Sequence, residues 1–148
     1  MKKLFFASLL CIASSIVFAQ QNTMGAKMAL LSDGKYHSDN EPISKRYENI
    51  MNQLDYKYVE TKDRIADMTS VCKKELVNIG VEEPLINIMN DILLLNDRYT
   101  TNKKYADNIV LYITLRNVGN DHTKTIQGMQ NLLNTGSMDQ VFKAMGLR

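Results

Sequence analysis

From Ile43 to Ile79 one apolar stripe runs without a slip: Ile43, Tyr47, Ile50, Leu54, Tyr58, Thr61, Ile65, Met68, Cys72, Leu76 and Ile79 follow one another at steps of three and four. Ten steps cover 36 residues, an average of 3.6, which is the period of a straight α-helix and not of a coiled-coil seam. Only Thr61 in the series is polar. Ser38 with Glu41 has the spacing of a capping box, Pro42 suits a first turn, and Gly80 suits the residue after a helix. The spacing predicts one long helix over about 41–79, or two nearly collinear ones bent near Thr61. A helix of that length would reach on the order of 55 Å. A compact domain of this size has a radius of gyration of only about 14 Å. The helix must therefore bend, or protrude and meet a partner, and a second copy of the chain could dock along it.

The rest of the chain reads as helical too. Met24 to Leu31 is a short apolar patch closed by Asp33-Gly34. Pro84 opens a helix whose apolar face is Leu85, Ile88, Met89, Ile92, Leu95 and Tyr99. The run Ile109-Val110-Leu111-Tyr112-Ile113-Thr114-Leu115 has strand propensity, but nothing else in the sequence offers a strand to pair with it. It is read as a helix over about 104–118, and its nearly all-round apolar surface predicts the central, most buried element. Asn120 or Asp121 caps a further helix carrying Ile126, Met129, Leu132 and Leu133. Ser137 and Gln140 then start a short terminal helix with Met138, Val141, Phe142 and Met145. The expected fold is all-α: a single helical bundle of four to five helices, over 41–148, behind an N-terminal arm over 20–40.

Residues 1–19 have the organisation of a secretory signal peptide. Lys2-Lys3 form a basic start, Leu4 to Phe18 an apolar run, and Val17-Phe18-Ala19 a cleavage site. Leu10 before Cys11 is the wrong residue for a lipoprotein signal, and the apolar run is too short for a stable membrane span. The expected destination is the periplasm or the medium of a bacterium. Without Lys2 and Lys3 the chain keeps 16 basic and 16 acidic side chains, so it lacks the electrostatic footprint of a nucleic-acid binder. Cys72 becomes the one remaining thiol, and its place on the stripe predicts a buried, inert side chain in a fold without an intramolecular disulfide.

Chemistry is sparse in the sequence. Asp33, His37, Asp39 and Glu41 could converge on a cation, but no metal motif orders them, and no metal or cofactor is expected. His122 beside Asp121 has no neighbouring nucleophile, and the pairs Glu60–Arg64 and Glu41–Lys45 read as surface ion pairs. A phosphate-cradling glycine loop, a nucleophile elbow and an H-E-x-x-H helix are all missing. No catalytic residue is assigned. Once the signal is removed, eight Met and seven Tyr stand against one Phe and no Trp, and both types suit binding surfaces. Tyr56 and Tyr58, with Lys57 between them directing that patch toward solvent, and Met138, Phe142 and Met145 are the expected contact residues. The reading is an exported, non-enzymatic protein-binding module, such as a periplasmic inhibitor or an immunity protein against a secreted toxin. The alternative is a small secreted hydrolase or ligand carrier with a pocket between helices.

Overall fold

The computed structural model describes residues 22–95 and 103–135. These form six α-helices: α1 (Met24–Asp33), α2 (Pro42–Lys57), α3 (Lys62–Asn78), α4 (Leu85–Leu94), α5 (Tyr105–Asn117) and α6 (His122–Thr135). No strand occurs among the described residues. The apolar run 109–115 is helical, as its lack of a pairing partner requires. The segment read as a signal peptide, and the terminal segment with Met138, Phe142 and Met145, lie outside the described residues.

The long helix is two helices, and they are not collinear. Tyr58 and Thr61 both have extended backbone, at φ −111°, ψ 162° and φ −69°, ψ 160°. Lys62 Nζ at the start of α3 lies 3.4 Å from Glu48 Oε1 in the middle of α2. Along one straight helix these residues would stand about 21 Å apart, beyond the reach of the two side chains. α3 therefore folds back beside α2. The stripe keeps its phase across the break because each helix buries its own face in the same core, so continuity of period did not require continuity of backbone.

The break is held by bonds to distant elements. The carboxylate of Glu60 accepts the backbone N–H groups of Tyr105 (2.9 Å) and Ala106 (3.1 Å), closing the N-terminus of α5. Val59 N–H donates to Lys103 O at 3.1 Å. Lys57 Nζ reaches Leu93 O (2.5 Å) and Leu95 O (2.6 Å) at the C-terminus of α4. Thr61 Oγ1 accepts from Arg64 N–H at 3.4 Å and caps α3. Glu60 is thus a helix cap for α5, where its spacing to Arg64 suggested a surface pair. Similar closures serve α1: Glu48 Oε2 accepts Gly25 N–H at 2.7 Å, and Lys73 Nζ donates to Leu31 O and Ser32 O. Acids sit at helix N-termini and ammonium groups at C-termini, the signs that the helix macrodipole favours.

The segment read as an N-terminal arm contributes α1 to the core, where Met28 and Ala29 are buried. α1 packs most extensively against α2. The approach is close enough that a Cβ at Gly25 would lie 2.2 Å from Ser44 O and 2.7 Å from Glu48 N. The Ser38–Glu41 pair forms half its expected box, Ser38 N–H donating to Glu41 Oε1 at 2.8 Å, but it does so ahead of the helix, whose N-cap is Glu41 itself. The central element is α3, which touches α1, α2, α4 and α5. α5 was expected there, yet Val110 on it is 63% exposed. α4 is the most buried in proportion, with Leu85, Ile86, Ile88, Met89 and Ile92 in the core.

Candidate functional site

The expected contact pair Tyr56 and Tyr58 divides at the end of α2. Tyr56 is 95% exposed and lies beside a shallow hollow of about 430 Å³ shared with Asn52, Gln53, Lys57 and Leu93. Leu94, next along α4, is 69% exposed. Tyr58 is not a surface anchor: it is 6% exposed, its hydroxyl donates to Ile92 O at 3.0 Å, and its ring meets that of Tyr105 edge-on at 5.6 Å. Lys57 is half-buried on the carbonyls of α4 and does not carry the patch outward.

A deeper groove of about 480 Å³ opens between the C-terminus of α1, the second half of α3 and the connection to α4. Leu76, Val77, Val81 and Pro84 give it apolar walls, and Asp33, Lys73, Glu82 and Glu83 stand around it. Behind Glu83 begins a polar chain. Arg116 Nη1 lies 3.5 Å from Glu83 Oε2 and donates to Tyr112 Oη at 3.3 Å. Tyr112 Oη is 2.8 Å from His122 Nδ1, and His122 Nε2 is 2.8 Å from Asp91 Oδ2. With Asp91 accepting from Nε2–H, Nδ1 is left to accept the hydrogen bond of the Tyr112 hydroxyl, and donors then run in one direction from arginine to carboxylate.

Carboxylate, imidazole and hydroxyl stand in the order that nucleophilic catalysis uses. The hydroxyl, however, belongs to a Tyr112 with no exposed surface, and burial raises its pKa well above the ordinary phenol value. Arg116 Nε is buried without a partner among the described residues. The chain joins α4, α5 and α6 and ends at the groove wall. Little in the sequence announced it, since Glu83, Asp91, His122 and the Tyr112–Arg116 pair meet only through packing; the i,i+4 spacing of Tyr112 and Arg116 and the capping pattern at Asp121-His122 were its local signs.

Near the other end of the groove, His37 takes a carboxylate on each ring nitrogen, Glu41 Oε2 on Nδ1 at 2.8 Å and Asp33 Oδ2 on Nε2 at 2.9 Å. Asp39, grouped with them in the sequence, instead accepts from Thr23 N–H and Oγ1. No group of three or more metal-ligating side chains gathers in a metal-binding arrangement among the described residues.

Cys72 is fully buried on α3, and burial pushes its thiol up to about 12, with Arg116 pulling weakly the other way. A thiol reagent should label it slowly in the native protein and rapidly in denaturant, since the thiolate is the reacting form. Rapid native labelling would contradict this packing.

These elements define a small all-α domain with a helix-lined groove, a buried polar chain that ends at its wall, and an exposed aromatic at the end of α2. Residues 35–132, more than half of the sequence, match the MoxZ family, and the chain belongs to that family. No curated protein and no solved structure matches it. No described helix is long and apolar enough to cross a membrane.

Proposed function

We propose that this MoxZ-family chain is an exported, non-enzymatic module that binds another protein. The observation that carries the reading is Tyr56, an aromatic side chain 95% exposed on a helix whose opposite face is locked into the core. Leu93 lines the hollow beside it, and Leu94, next along α4, is 69% exposed. Aromatic anchors of this kind, held on a rigid element, carry a large share of binding energy in protein interfaces. An inhibitor or immunity protein acting outside the cytoplasm fits such a build. The signal-like first nineteen residues supply the export part of the proposal.

The test is capture of a partner from the cell envelope by the tagged mature chain, followed by affinity measurement with the purified partner. Tyr56→Ala should weaken that affinity at least tenfold while leaving the circular-dichroism spectrum unchanged. His122→Ala should leave it unchanged wherever the variant folds. Equal affinity of Tyr56→Ala and the parent would remove this surface from the interface.

The groove between α1, α3 and the α3–α4 connection favours a second reading, a carrier of a small apolar ligand. In that case Val77→Lys, on the 60% exposed rim of the groove, should abolish ligand uptake and leave partner capture intact.

A further inference from the structure

The sequence Asp33–Gly34–Lys35–Tyr36–His37–Ser38–Asp39–Asn40–Glu41 joins the last residue of α1 to the N-cap of α2. His37 stands at its middle, with a side chain 14% exposed between two carboxylates that are each 44% exposed. Each ring nitrogen lies within hydrogen-bond distance of one carboxylate. Those carboxylates also hold the backbone of the segment: Asp33 Oδ1 accepts Lys35 N–H at 2.9 Å, and Glu41 Oε1 accepts Ser38 N–H at 2.8 Å. One imidazole therefore ties together two side chains and, through them, two amides.

We propose that Asp33, His37 and Glu41 form a pH-operated latch between α1 and α2, closed while His37 is an imidazolium and opened by loss of its proton. The reason is stereochemical. An imidazolium has two N–H donors and can serve both carboxylates, whereas the neutral ring has one donor and one lone pair. The lone pair then faces a carboxylate oxygen at less than 3 Å, and one of the two contacts must break. The pKa directions agree with that geometry. Hydrogen bonds donated to Glu41 and then to Asp33 raise His37 above its ordinary value of 6.5. The Lys35 amide and then His37 lower Asp33, while His37 and then the Ser38 amide lower Glu41. The stabilisation tied to His37 is complete below its ordinary value and is lost as pH rises through its raised value. The stabilisation tied to the two acids is complete above their ordinary values and is lost as pH falls through their lowered ones. The latch is closed between those limits.

The other charged groups nearby leave this sign unchanged. Lys35 adds a weak favourable field at Asp33. Tyr47 of α2 is held protonated by burial. The groove that Asp33 lines is also lined by Lys73 of α3, occupied by the carbonyls of Leu31 and Ser32, and by Glu82 and Glu83 of the α3–α4 connection. Because Ser32 and Asp33 form one rim of the groove, opening the latch changes the charge and the order of its entrance.

The experiment is an NMR titration of the full mature chain from pH 5 to 9. It follows the His37 ring signal and the exchange protection of the Lys35 and Ser38 amides, corrected for the intrinsic pH dependence of exchange. His37 should titrate with a midpoint above 6.5, and protection of both amides should fall at least fivefold across that midpoint. The Val59 amide, bonded to Lys103 O, should not respond. In His37→Gln the two amides should be weakly protected at every pH. A midpoint at or below 6.5, or steady protection of Lys35 and Ser38 across the midpoint, overturns the latch. If His37→Gln does not fold, the parent titration alone decides.

Discussion

Replacing Gly25 with alanine should destabilise the domain by about 3 kcal/mol, the upper part of the range for forcing extra volume into a packed interior. The added Cβ would lie 2.2 Å from Ser44 O and 2.7 Å from Glu48 N, both backbone atoms of α2 that cannot rotate away. α1 would have to lift, and three contacts would suffer together. Gly25 N–H would leave Glu48, Met28 and Ala29 would lose their place in the core, and Lys73 would lose the carbonyls at the other end of the helix. Alanine is the better helix former by roughly 1 kcal/mol, so a steric effect must overcome a favourable intrinsic one. Urea unfolding of parent and variant measures the difference. A loss below about 1 kcal/mol would show that α1 does not approach α2 this closely.

Proline substitutions should separate the two halves of the stripe from the break between them. Leu54→Pro removes an interior hydrogen bond of α2 and a fully buried side chain, and should cost well over 3 kcal/mol, enough to unfold a domain of ordinary stability. Ile65→Pro, in the first turn of α3, should also cost more than 3 kcal/mol, because Ile65 N–H bonds Thr61 O at 2.9 Å and the side chain has no exposed surface. Thr61→Pro is a different case. Thr61 already has φ −69°, which a proline ring accepts, and the main loss is its capping bond to Arg64, worth about 1 kcal/mol. Circular dichroism in increasing urea should rank Thr61→Pro far above the other two. Equal damage at all three positions would mean that the helix is continuous.

The helices were legible because apolar spacing is a local property, and helix ends are marked by residues such as Pro42, Gly80 and Asp121 that act within one turn. The break at 58–61 was half legible. Thr61, the only polar member of the stripe, marked the place, but the reversal depends on Glu60 finding the amides of Tyr105 and Ala106, a contact across more than forty residues. The candidate surfaces divide in the same way. Tyr56 and Tyr58 look alike in sequence, two positions apart. One is at the surface and the other in the core because the helix ends between them and Tyr58 turns toward Ile92. The Glu83–Arg116–Tyr112–His122–Asp91 chain was almost illegible: only Tyr112 and Arg116 are tied locally, four residues apart on α5, and the other members come from separate elements. The His37 cluster was legible as a grouping of acids around an imidazole. Its arrangement was not, since Asp39, two residues from His37, turns to Thr23 while Asp33 and Glu41 take the ring.

Both ends of α1, the N-terminus of α5 and the last carbonyls of α4 are closed by side chains from elsewhere in the chain: Glu48 of α2 and Lys73 of α3 for α1, Glu60 of the break between α2 and α3 for α5, and Lys57 of α2 for α4. None of these three helices can therefore be lost or exchanged by itself, because the charge that completes it is written elsewhere in the chain. The family match begins at Lys35, just after α1. A family member that had shed α1 would be left with a carboxylate at position 48 and an ammonium at position 73, each deprived of its backbone partner. Such members should carry other residues at both positions at once, so the presence of the first helix can be read from two sites far downstream of it.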